Sequence, residues 1–161
     1  MGRRLLNVNV DITQLKPVSA VLGDSEEDSA LLLRLATEAR QFIQSFEWYG
    51  GLRHEYFGLG IGGVIAAFLY NITPAKPDVD SWLWVIVGDV PPAYIVTDDA
   101  HTPALAIEAY IREMREWVEA AKAGNPVDEL IPVNVPATPE WGNRLESRLE
   151  FIEKTILRNG A

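Results

Sequence analysis

Apolar residues recur along this chain in two rhythms, and each rhythm predicts its own kind of element. Three segments repeat at i, i+3, i+4 and i+7, the signature of a helix with one buried stripe. The first opens at Ser25-Glu26-Glu27-Asp28, where a capping serine and three acids suit the positive end of a helix dipole. It continues through Leu32, Leu35, Ala36, Ala39, Phe42, Ile43 and Phe46, and Gly50-Gly51 is expected to end it. The second opens at Thr102-Pro103, with threonine as cap and proline at the first position, where its missing N–H costs nothing. Its stripe is Ile107, Tyr110, Ile111, Met114, Trp117, Val118 and Ala121, and Gly124-Asn125-Pro126 stops it. Glu108–Arg112, Arg112–Glu116 and Arg115–Glu119 are spaced to form i,i+4 ion pairs on its outer face. The third repeats the Thr-Pro start at Thr138-Pro139, lines Trp141, Leu145, Leu149, Ile152 and Ile156 along one side, and closes at Asn159-Gly160.

The second rhythm has period two, which predicts strands. Val8, Val10 and Ile12 alternate with Asn7, Asn9 and Asp11, a half-exposed strand that Lys16-Pro17 should end. Val64–Thr73 reads as a buried strand, with a short helix as the alternative. Trp82–Asp99 reads as a hairpin folded at Gly88-Asp89-Val90-Pro91-Pro92, with Tyr94, Ile95 and Val96 on the return strand. Trp82, Trp84 and Ile86 point one way and Leu83, Val85 and Val87 the other. Both faces of this strand are apolar, so both must be covered by helices or by a partner. Leu52–Gly63 is glycine-rich and aromatic and is assigned neither strand nor helix, with Gly58–Gly63 expected to be a loop, while Val127–Ala137, broken by prolines, is an extended linker.

These elements predict an α+β fold: an antiparallel sheet of three or four strands packed with three long amphipathic helices, in the order β-α-β-β-β-α-α. The chain has 161 residues, the length of one domain, and its 48% hydrophobic and 23% charged residues are ordinary globular values. Charge changes the picture more. With 23 acidic against 14 basic residues the net charge is -9. Such a field repels nucleic-acid phosphates and anionic membrane surfaces and favours a basic protein partner. The chain has no cysteine, which excludes disulfides, thiolate metal sites and cysteine nucleophiles. The start, MGRRLLNVNVDI, lacks the apolar run of a signal peptide, so a cytoplasmic location is expected.

Candidate chemistry is sparse. Gly58-Leu59-Gly60-Ile61-Gly62-Gly63 matches G-x-G-x-x-G, but a dinucleotide site needs a strand before it and a helix after it, and neither is predicted. Tight backbone packing against an aromatic neighbour, or a flexible loop, is the better reading. His54-Glu55 and Asp98-Asp99-x-His101 hold the two histidines, yet neither has metal-ligand spacing. Asp98 and Asp99 are better explained as the acidic approach to the second helix. No catalytic motif, cofactor or metal is called for. A possible binding surface or pocket gathers Trp48, Tyr49, His54, Glu55, Tyr56, Asp78, Asp80, Asp98 and Asp99.

The hairpin Gly88-Asp89-x-Pro91-Pro92-Ala93-Tyr94, the Trp117 helix IEAYIREMREWVEAAKAG and the linker IPVNVPATPEW resemble a family of small bacterial proteins. The resemblance covers a little under half of the chain and brings no catalytic residues with it. In size and acidity the chain is also similar to bacterial immunity proteins, which neutralise toxins by binding. That likeness implies a non-enzymatic, inhibitor-type protein with a basic protein partner. Two alternatives remain: a small enzyme or ligand-binding domain with a pocket near His54 and the Gly58–Gly63 stretch, and a homo-oligomer, such as a homodimer, joined through the hairpin.

Overall fold

The computed structural model describes residues 10–20, 26–98 and 100–158. It is an α+β fold with a five-stranded antiparallel sheet in the order β1-β2-β3-β4-β5. The strands are β1 (Lys16–Pro17), β2 (Tyr49–Ile61), β3 (Ile65–Pro74), β4 (Trp82–Gly88) and β5 (Ala93–Val96). The helices are α1 (Glu26–Gln44), α2 (Pro103–Ala123) and α3 (Pro139–Arg158). Strands consecutive in sequence are neighbours throughout the sheet, through short connections from β2 to β5 and through α1 between β1 and β2.

The two apolar faces of the hairpin are divided between helices. Leu83, Val85 and Val87 join Ala66, Phe68 and Tyr70 under Leu35, Ala36, Ala39 and Ile43 of α1. Trp84 and Ile86 face the other way, into a core with Ile107, Tyr110, Met114 and Trp117 of α2. Helix α3 adds Leu145, Leu149, Ile152 and Ile156 to that second core, and packs chiefly on α2. Each fully buried Leu, Ile or Phe stabilises the fold by about 1.5–3 kcal/mol before entropy is charged against it. The covering that the second sheet face needs is therefore supplied from within the chain, which removes the argument for joining copies through that face.

Both Thr-Pro starts form as the sequence predicts. The Thr102 hydroxyl accepts from the Leu105 amide at 3.1 Å, and the Thr138 hydroxyl accepts from the Trp141 amide at 3.3 Å. Every residue of the predicted α2 stripe is buried. The Trp84 indole donates to the Ala100 carbonyl at 2.9 Å, so this fully buried ring also satisfies its polar atom. Linker residues Val127, Leu130, Ile131, Val133 and Val135 are half-buried against the α2-side core.

Several expectations are corrected. Leu52–Ile61, which carries no strand signal in the sequence, belongs to β2, the longest described strand, so the expected Gly58–Gly63 loop is reduced to the turn at Gly62 and Gly63. Three register shifts against β3, between Tyr49 and Leu52, Leu52 and His54, and Phe57 and Leu59, break its side-chain alternation and hide it from a period-two reading. Gly50 and Gly51 lie inside β2, and α1 stops earlier, at Gln44, where the Ser45 hydroxyl turns back to the Phe42 carbonyl. Val64–Thr73 is a strand rather than a helix over most of its length, and the sheet has one strand more than the sequence pattern predicts.

At the N-terminal end, Asn7–Asn9, like the cap Ser25, lie outside the described residues. Val10 to Ile12 form no strand. The Asp11 carboxylate instead accepts from the Thr13 amide and hydroxyl and starts a 3-10 turn over Ile12–Gln14. Those bonds hold the Asp11 carboxyl below its ordinary range. Lys16-Pro17, expected to end a strand, is itself the strand that pairs with Tyr56 and Phe57.

Candidate functional site

The predicted site residues that the structure describes are spread over several elements: Trp48 precedes β2, Tyr49, His54, Glu55 and Tyr56 lie on it, Asp78 and Asp80 follow β3, and Asp98 follows β5. His54 and Glu55 are neighbours on β2 and point to opposite faces, because successive strand side chains alternate. Glu55 turns to the α1 side, where Arg40 of α1 grips it with two bonds of 2.5 and 3.2 Å. The carboxylate in turn raises the Arg40 guanidinium further above its ordinary value. His54 is exposed, its ring 6.4 Å from that of Tyr56, and Tyr56 stacks on Trp82 across the sheet with 18° between planes. A histidine–carboxylate dyad is thus not formed by this pair. Tyr49 begins β2 opposite Pro74 and packs half-buried on the α1-side core. Asp78 and Asp80 are placed in the loop between β3 and β4, Asp78 exposed and Asp80 the same. Asp98 is exposed just beyond β5, and Asp99 lies outside the described residues.

The glycine stretch is likewise not a phosphate cradle. Gly58 and Gly60 are within β2, Gly62 and Gly63 turn the chain, and the next element is β3 rather than a helix. A methyl group on Gly58 would come within 2.9 Å of Pro103 and 3.0 Å of the Trp84 ring. Close backbone approach to an aromatic neighbour is what this glycine provides. Among the described residues no group of three or more His, Asp or Glu side chains is placed to hold a metal ion.

What the structure does assemble is an aromatic corner around Trp48. Its ring stacks on Phe46 with centroids 4.7 Å apart and planes at 15°. Tyr94 of β5 meets both rings edge-on, each at 5.3 Å, and Phe42 closes on Phe46 at 5.1 Å. The corner arises because the apolar stripe of α1 runs on past its last hydrogen-bonded turn and reaches the outer strand of the sheet. On β5 the α2-side residues Ala93 and Ile95 are buried at 4% exposure, whereas Tyr94 and Val96, on the α1 side, are 38% and 39% exposed.

Beside this corner a groove of about 320 Å³ runs between α1 and the hairpin, lined by Glu38, Gln41, Phe42, Val87, Val90 and Pro92. Glu47 stands between the two stacked rings in sequence, and Asp98 is exposed at the far end of β5. The result is a partly exposed aromatic and aliphatic strip with the Glu38 carboxylate in the adjoining groove, and aromatic residues are those that concentrate binding energy at protein interfaces. Trp48 was legible as a candidate from its aromatic surroundings. Phe42 and Phe46 belong to the predicted helix stripe, and Tyr94 and Val96 to the predicted hairpin, so neither pair stands out as a site. The one available signal was the length of the stripe, which outruns the helix that carries it.

A mixed-charge region lies on α2. None of the three predicted i,i+4 pairs comes within 4 Å: Arg115 reaches across to Glu153 of α3 at 2.8 Å instead. Glu108, Arg112, Glu116 and Glu119 line a groove of about 480 Å³ between α2 and α3, floored by Ile111 and Ile156. On the far side of the hairpin turn, Trp141 was expected on the inner face of α3 but is 37% exposed, with the Arg144 guanidinium 5.0 Å above its ring. Among the described residues no helix is long and apolar enough to cross a membrane. No family model, curated protein or solved structure matches this chain.

Proposed function

We propose that this chain is a non-enzymatic acidic binding protein of the immunity or inhibitor type, which captures a basic protein partner at the Trp48–Tyr94 corner. The observation that carries this reading is the partly exposed aromatic strip at the sheet edge, with Glu38 lining the groove beside it, in a chain of net charge -9. Trp and Tyr are the residues that most often dominate an interface, because they remove large rigid surfaces from water at small cost in entropy. The acidic field adds speed and selectivity for a cationic partner rather than raw affinity. The likeness in size and acidity to toxin-neutralising immunity proteins supports the same class.

The test is co-expression with the product of the adjacent open reading frame, followed by a binding titration. A basic partner should co-purify, and Trp48→Ala should weaken binding by about thirtyfold, the effect of a central hot spot. Its association rate should fall steeply as salt is raised. Binding that survives Trp48→Ala and Tyr94→Ala together would remove the corner from the reading.

A further inference from the structure

The sheet has two edges, and they are built differently. At one, β1 is two residues long and ends in Pro17, and β2 behind it is interrupted by three register shifts. A proline, a short strand and bulges are the devices by which a sheet edge refuses a further strand. At the other, β5 pairs with β4 in unbroken register from Leu83 opposite Val96 to Ile86 opposite Ala93. In an antiparallel pair, alternate residues of an edge strand direct both N–H and C=O away from the neighbour. Among the described residues no backbone hydrogen bond takes up the outer side of Ala93–Val96.

We infer that the partner docks by adding an extended, cationic segment as a sixth strand on β5. The inference rests on the binding reading above and specifies its mode. The α1-side residues of such a segment would lie beside Tyr94 and Val96, against Phe46 and Trp48, and would run on into the groove lined by Glu38, Phe42 and Pro92. Pro92 has no N–H and Thr97 turns the chain toward Ala100, so the ladder is limited to Ala93–Val96. A ladder that short holds little by itself; pockets for alternate side chains and charge supply the rest. Charge selects the occupant. A second copy would set one chain of net charge -9 against another, whereas a segment carrying lysine or arginine meets that acidic field and Glu38 in the groove.

The test uses the full chain and a short capped peptide that alternates lysine and valine. Two controls accompany it: the same peptide with every second backbone nitrogen methylated, and its glutamate–valine counterpart. Hydrogen exchange read by NMR should slow on the order of tenfold at the outward amides of Ala93–Val96 when the lysine peptide is added. N-methylation should weaken binding by on the order of tenfold, and the glutamate peptide should not bind. Equal binding of the methylated peptide, protection at β2 instead of β5, or a dimer of the chain whose β5 amides are already protected would each overturn strand addition. If the Trp48 indole and Tyr94 signals shift while β5 exchange stays unchanged, strand addition falls and the corner still binds cations. If nothing at Trp48 responds to the lysine peptide, both fall.

Discussion

The ring of Trp48 meets the ring of Tyr94 edge-on with 5.3 Å between centroids, joining the end of α1 to the outer strand of the sheet. Such a pair contributes about 0.5–1.5 kcal/mol beyond the area it buries. A double-mutant cycle of Trp48→Ala and Tyr94→Ala in urea unfolding should therefore return a coupling energy of that size. Each single variant should keep a cooperative transition, since neither ring belongs to the fully buried core. Stability loss and binding loss can then be compared on the same proteins.

Arg115 and Glu153 tie α2 to α3, and the hydrogen bond from Arg115 holds the Glu153 carboxyl below its ordinary value of 4.5. A carboxyl with a depressed folded pKa contributes stability at neutral pH, and loses it as pH falls below 4.5 through the folded value. Both side chains are more than a third exposed, so solvent screens the pair and Glu153→Gln should cost only about 0.5 kcal/mol at pH 7. Glu113 behaves in the opposite sense. Desolvation on the flank of α2 raises its carboxyl above 4.5, and the neighbouring Glu116 adds to the shift against the pull of Arg112. Its ionised form opposes folding, so Glu113→Gln should raise the Tm at pH 7, and the gain should shrink as pH is lowered through the raised value. Thermal melts across an acid pH series check both signs.

Tyr110 on α2 donates its hydroxyl to the Pro91 carbonyl at 2.5 Å, which fastens the β4–β5 turn to the helix beneath it. Burial pushes that hydroxyl well above its ordinary pKa, so it stays a donor over the whole working range. Tyr110→Phe should cost about 1 kcal/mol in urea unfolding, because a half-buried carbonyl loses its partner while the ring still fills its space. Amide exchange at Asp89 and Val90 should rise in the same variant.

The parts of the fold that were legible in the sequence are those whose local signals agree with their tertiary setting. Thr102-Pro103 and Thr138-Pro139 mark helix starts by backbone chemistry alone, and the α2 stripe lies wholly inside because α2 is covered by the sheet on one side and α3 on the other. β2 was illegible for a physical reason: its register shifts break the alternation, and Gly58 stands where close packing against Trp84 and Pro103 leaves no room for a side chain, so neither leaves a period-two trace. The ion pairs of α2 differ from expectation because i,i+4 spacing says nothing about a neighbouring helix, and Glu153 offers Arg115 a partner there. Of the candidate site, Trp48 was legible and its setting was not. A stripe that outruns its helix shows where apolar side chains end up only when the strand they reach is known.

Gly88 and Gly124 both adopt positive φ, 138° and 76°, yet they should respond to alanine very differently. At Gly124, which ends α2 in the left-handed conformation, an added methyl group meets nothing within 4 Å. Gly124→Ala should therefore cost only the intrinsic penalty of that conformation, about 1 kcal/mol. At Gly88, which ends β4 at the hairpin turn, the methyl group would collide with the Val64 carbonyl oxygen and stand 2.8 Å from the Ile65 Cα. Val64 is held there because its carbonyl accepts from the Asp89 amide at 2.9 Å, so backbone on both sides would have to move. Strain and overpacking add, and Gly88→Ala should cost about 3 kcal/mol. Because β5 comes directly after this turn, the same variant should shift the Tyr94 ring away from Trp48 and weaken partner binding, whereas Gly124→Ala should leave binding unchanged. Urea unfolding and the binding titration, run side by side on the two variants, separate the cost of a backbone angle from the cost of moving the edge strand.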